Sequence, residues 1–246
     1  MKTHNRLPMI IHRLSKLKPI CLILLVAFAL PASGQNIFSS LKEKITGSNS
    51  TEKVEKKTKS NKKPESPDPL ELSLDENLAM PEIPEKYHDQ IVAHMNTLAK
   101  KLAAHKRERV ETMRNGEIVV ATITTDLLFA PNDTVLGKNS HSLLNPYANL
   151  LHQPGMYKVV VVCHTDNTGS EKYTDALSEA RVNSVSEYLL HGSNDNHATL
   201  VPYALGASDP LYPNNTMDNR RANRRLEIFI VPDVLLIEMA KANKLQ

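Results

Sequence analysis

The chain has no tryptophan, only four phenylalanines and an aromatic content of 4%, so its core must rest on Val, Leu and Ile. Cysteine is nearly absent too, with only Cys21 and Cys163 among 246 residues. Cys21 falls in an N-terminal leader, and its loss would leave Cys163 alone. A lone cysteine excludes an internal disulfide and reads as a small buried apolar residue rather than a reactive thiol. A strong excess of one charge is also missing. The formal net charge is +3 and falls near neutral once the basic leader is removed, which leaves no electrostatic case for nucleic acid. The apolar run Ile20 to Leu30 is shorter than the roughly 20 residues that cross a bilayer.

What is present begins with that leader. Arg13, Lys16 and Lys18 precede the run, and Pro31, Ala32, Ser33 and Gly34 follow it. A basic region, a short apolar core and small residues at a cleavage point describe a secretory signal peptide over 1–34, with Gln35 as the new N-terminus. Residues 35–85 interleave lysines such as Lys42, Lys44, Lys53, Lys56 and Lys57 with Ser, Thr, Asn and Glu, and then bring Pro64, Pro67, Pro69, Pro81 and Pro84. Such a stretch buries too little apolar surface to offset its ordering entropy and reads as a disordered linker. Its lysines either solvate the linker or attract an anionic envelope polymer. Over 86–114, Tyr87, Ile91, Met95, Leu98 and Leu102 share one helical face. This amphipathic helix either packs on the domain or pairs with a second copy to give a homodimer.

Residues 115–232 alternate strands and helices. Ile118 to Thr124 is a β-branched strand, and Ser140 to Leu151 a short helix in which Pro146 either makes a kink or sits in the first turn. Tyr157 to Cys163 (YKVVVVC) is an apolar strand covered on both faces. A second helix follows Gly169, with strands near Leu200 to Leu205 and Leu226 to Val231. The order βαβαββ implies an α/β sandwich with helices packed on a mixed sheet. Residues 233–246 form a C-terminal tail with an amphipathic turn or helix.

One stretch concentrates the chemistry, His164 to Val185, HTDNTGSEKYTDALSEARVNSV. At about 100° per residue, Leu177, Val182, Val185, Tyr188 and Leu189 fall in one sector, and Arg181 projects among them. Leaving a buried guanidinium unpaired costs about 3–5 kcal/mol, so Arg181 requires a carboxylate nearby. His164 and Asp166 share one strand face. The turn Asn167, Thr168, Gly169 then delivers the chain into the helix and brings Asp166 to the rim that Arg181 occupies. The spacing alone leaves two readings open, a structural ion pair or a grip on a zwitterion. His164 beside Asp166 would also suit a metal or catalytic pair, but His141, His152, His191 and His197 keep no ligand spacing with them, and no poised nucleophile is evident. No cofactor is called for and no enzymatic activity is expected.

The strand with HTDNTG, then LSEARVNSV, then NRRANRRLEIFI at Asn219 to Ile230, resembles the OmpA-like peptidoglycan-binding domain. That module is shared by the C-terminal part of OmpA, the peptidoglycan-associated lipoprotein and the stator protein MotB. The resemblance covers roughly Gly116 to Pro232. It implies non-catalytic binding of peptidoglycan through diaminopimelate, whose ammonium and carboxylate share one carbon and suit charge-assisted hydrogen bonds. By the resemblance, Asp166 takes the ammonium and Arg181 the carboxylate. Asn132, Thr168 and Arg224 stand at further binding positions, and Thr174 stands where the family usually has asparagine. Strand alternation turns Arg224 and Arg225 to opposite sides, so at most one reaches the ligand. The implied location is the periplasm, wall-associated or held at the outer membrane by an envelope protein partner docking on residues 35–114. The alternatives are a membrane-anchored or stator-like subunit using the same domain and, from another class, a wall-modifying enzyme.

Overall fold

The computed structural model describes residues 68–79, 81–104, 108–191 and 199–245; the expected leader and most of the expected linker lie outside them. Its centre is β3 (Tyr157–His164), whose β-branched run is buried at every position. On one side it pairs antiparallel with β5 (Arg225–Pro232) and on the other parallel with β4 (Leu200–Gly206). Strand β2 (Ile118–Thr124) pairs antiparallel with β5, and β1 (Arg109–Met113) with β2, so the five-stranded order is β1-β2-β5-β3-β4. The sheet is mixed, and the expected α/β sandwich holds.

Alternation along the strands separates two cores. Val119, Ala121 and Ile123, Val159, Val161 and Cys163, and Leu226, Ile228 and Ile230 face the larger one. Helices α2 (Glu85–Ala103), α3 (Ser140–Leu151), α4 (Glu171–Leu190) and α6 (Val234–Lys241) cover that face. Burying each large aliphatic side chain contributes about 1.5–3 kcal/mol. The apolar face of α2, carried by Ile91, Met95, Leu98 and Leu102, is used here against the domain rather than left for a second copy. The C-terminal tail is the capped helix α6, whose Leu236, Ile237 and Ala240 join the same core. Pro146 lies inside α3, past the first turn.

Three expectations are corrected. The helix expected over 86–114 ends at Ala103, and Arg109–Met113 is a strand paired with Ile118–Thr122. Arg114, Asn115 and Gly116 turn that hairpin with φ of 50°, 55° and 95°. A Cβ on Gly116 would come within 2.9 Å of Val92 Cγ1, so the tight turn excludes a side chain there.

The linker expected to run to residue 85 becomes ordered at Asp68. A 3-10 turn, Pro69–Glu71, leads into α1 (Leu74–Ala79), which starts with a reciprocal cap: Ser73 N donates to Glu76 Oε2 at 2.9 Å and Glu76 N to Ser73 Oγ at 3.3 Å. Leu78 is buried in the second core with Val160, Val162 and Phe229 on the opposite sheet face. Asn77, fully buried, donates to Pro69 O at 2.6 Å and Tyr203 Oη at 2.7 Å and accepts from Lys158 Nζ at 3.1 Å. A linker composition averaged over many residues hides this short apolar, capped segment.

Finally, the expected βαβαββ order gains a helix between its last two strands: α5 (Met217–Asn223), capped by Thr216, delivers Arg224 to the strand end.

Candidate functional site

The pairing of β3 with β4 shifts register between Cys163 and His164. The two side chains expected to share a face therefore part. His164 Nε2 lies 3.1 Å from Glu227 Oε2 inside a buried cluster that also holds Arg225. Asp166 lies beyond the strand end and faces a cavity. Its Oδ1 accepts the Thr168 N–H at 2.8 Å, closing the turn, and its Oδ2 accepts Arg224 Nη1 at 2.7 Å. Burial pushes the Asp166 carboxyl up. The hydrogen bonds from Thr168 and Arg224 and the Arg224 charge outweigh burial and hold it below the usual carboxylate value. Gly169 (φ +107°) then turns the chain, where a Cβ would meet Tyr173 Cδ1 at 2.8 Å, and Ser170 caps α4.

Arg181 projects from α4 toward the same cavity, but its partner is not Asp166. Nε donates to Asp133 O at 2.9 Å, Nη2 to Ala130 O at 3.4 Å, and the guanidinium carbon stands 5.0 Å from the Phe129 ring centroid. The expectation that a buried Arg181 requires a carboxylate is thus corrected: main-chain carbonyls and an aromatic face solvate it instead. Burial pulls its pKa below the ordinary guanidinium value, against the opposing charge of groups that include Asp126. Arg181 also fastens the loop that carries Asn132, which turns at φ 58° and whose Oδ1 accepts Tyr173 Oη at 3.1 Å. Ser184 Oγ secures the same loop through Thr134 O at 2.7 Å.

Arg224 and Arg225 diverge as alternation requires. Arg225 is buried, with Nε donating to Glu227 Oε1 at 3.0 Å and Nη1 to Asp209 O at 3.1 Å. Arg224 lines the cavity, its Nε and Nη2 donating to Asp126 at 3.0 Å each and its Nη1 to Asp166. These carboxylates raise its pKa further. Thr174 is buried, and its hydroxyl donates to Glu171 O at 2.9 Å. Behind the site Cys163 is fully buried, which pushes its thiol up to about 12.

Asp166, Arg181, Asn132, Thr168, Thr174 and Arg224 all line one cavity of about 440 Å³. Asp126, Phe129, Tyr173 and Leu177 line it as well and were not singled out from the sequence as site residues. No motif spacing marks Asp126; it joins the site only because Arg224 reaches across to it. Among the described residues no three His, Cys, Asp or Glu side chains gather as a metal site, and no helix is long and apolar enough to cross a membrane.

Residues 128–224 match the OmpA family. The outer-membrane lipoprotein YfiB of Pseudomonas aeruginosa is 32% identical over 108 residues, 44% of this chain and 64% of that protein. The peptidoglycan-binding protein ArfA of Mycobacterium tuberculosis is 35% identical over 91 residues, 37% of this chain and 27% of that protein. The chain spans less than two thirds of the length of the curated relatives it matches. The crystal structure of a MotB-like protein from Desulfovibrio vulgaris shares the fold, with a TM-score of 0.50 at 22% identity over 60% of this chain and 95% of that one.

Proposed function

We propose, with an OmpA family domain at residues 128–224 as the premise, that this chain is a non-catalytic peptidoglycan-binding protein of the bacterial cell envelope. It acts in the periplasm against the wall. One observation carries the reading: Arg181 faces the cavity with no carboxylate in ion-pair contact among the described residues, across a site that also presents Asp166. A guanidinium so held has capacity for a ligand carboxylate, and a partly satisfied Asp166 has capacity for an ammonium. Diaminopimelate in the stem peptide offers both groups on one carbon. Asn132 and Thr168 add polar contacts along the wall of the cavity. Thr174, bonded to its own helix, contributes shape more than reach.

An envelope protein partner would attach through residues before Asp68, because the apolar faces of α1 and α2 are already used inside the domain. Sedimentation with insoluble peptidoglycan tests the binding. Wild type is expected in the pellet, and folded Asp166→Ala and Arg181→Ala proteins in the supernatant. Sedimentation of both variants at wild-type levels would sink the two-charge grip. Release of soluble muropeptides during the incubation would replace a binding module with a wall-modifying enzyme.

A further inference from the structure

Asp126 sits in the 3-10 turn Thr125–Leu127 that follows β2, and it holds two of the three donor positions that Arg224 uses in the cavity. The third, Nη1, goes to Asp166 at 2.7 Å. Arg224 therefore bridges two carboxylates. Counting charges, Asp126 and Asp166 bring two negatives and Arg224 one positive, so this end of the cavity is net negative by one. At the other end Arg181 is held by the carbonyls of Asp133 and Ala130 and the ring of Phe129, which are uncharged. The Asp133 carboxylate acts on it only through space, its Oδ1 accepting the Thr134 and Val135 N–H groups outside the cavity lining. All four charged side chains line the same cavity. Arg221 approaches Asp126 only at 3.7 Å, and its 65% exposed side chain leaves that contact screened by water.

Removing Asp126 from this count leaves a neutral pair, Arg224 with Asp166, and a cavity whose only net charge is that of Arg181. Such a site would take a carboxylate and have no net attraction for an ammonium. We propose that Asp126 is the specificity-determining carboxylate of the site: by occupying Arg224 it supplies the negative charge that admits an ammonium beside Asp166, while Arg181 takes the neighbouring carboxylate. The ligand class that follows is an α-amino acid terminus, discriminated from the same chain without its amine. This inference rests on the zwitterion reading of the site given above.

The test is calorimetric titration of the full chain at low ionic strength with diaminopimelate and with pimelate, which is the same dicarboxylate chain without the amines. Wild type is expected to prefer diaminopimelate by about tenfold. Asp126→Asn is expected to lose that preference and bind pimelate as well as or better than wild type does, and Asp126→Glu to restore it. The asparagine is isosteric at an exposed position, so the fold persists and the ratio of the two affinities is the readout. Wild type binding neither ligand, or both alike, would overturn the zwitterion reading and this inference with it. A wild-type preference that Asp126→Asn retains in full would overturn the role of Asp126 alone.

Discussion

Arg224 donates Nη1 to Asp166 Oδ2 at 2.7 Å across 58 positions of sequence. The antiparallel register of β3 and β5 makes the contact, because Cys163 lies opposite Leu226 and the residues just past one strand end meet those just before the other. Asp166 is thereby held from β5, while Arg181 on α4 is left to the loop carbonyls and the cavity.

Replacing Arg224 with Gln should raise the Asp166 pKa toward its ordinary value of 3.8, because the hydrogen bond and charge that offset burial are both lost. Carboxyl NMR titration of Asp166 in the two proteins reads this directly. Sign follows from linkage: a carboxyl held low contributes stability that is present above its unfolded pKa and lost as pH falls through the folded one. The variant should accordingly lose less stability on acidification below about pH 4 than wild type does. An unmoved Asp166 titration would show that Thr168 alone sets it.

His164 is expected to make the fold sensitive to mild acid. Burial pulls its pKa below the ordinary 6.5, with the Arg225 charge adding to that, and the hydrogen bond and charge of Glu227 and the charge of Asp209 only partly restore it. A folded state that keeps the imidazole neutral loses stability as pH falls from the unfolded value through the lower folded one. Glu227 and Asp166 are themselves held low, so their losses begin only below their ordinary values of 4.5 and 3.8. Thermal melting should therefore decline as pH falls below about 6.5, and His164→Gln, which keeps a donor toward Glu227, should flatten that decline. Parallel melting curves for the two proteins would argue against it.

Leu78→Ala tests whether α1 belongs to the domain. Leu78 is buried against Val160, Val162 and Phe229, and truncating a core leucine costs about 2–5 kcal/mol. Urea unfolding should show a loss near the lower end of that range, since α1 is short. No loss would return residues 68–79 to the status of a linker.

The β-branched run of β3, the helical stripe of α4 and the alternation that separates Arg224 from Arg225 were legible because periodicity is a local property. The end of α2 was not, since Val110 and Thr112 enter a strand only when β2 is there to pair with. Asp68 to Ala79 was hidden by averaging, since the burial of Asn77 and Leu78 depends on Lys158, Tyr203 and a sheet face assembled from distant strands.

By itself the sequence determined the central strands, the helices α3 and α4 and their order, because hydrophobic period and turn chemistry act over a few neighbours. That Asn132, Thr168, Thr174 and Arg224 join Asp166 and Arg181 was implied by the family resemblance. Only the tertiary structure decided how the charges pair. Asp166 goes to Arg224 rather than Arg181, Arg181 to carbonyls, and Asp126 enters the site unannounced, because hydrogen-bond partners are chosen by distances that strand register and packing set.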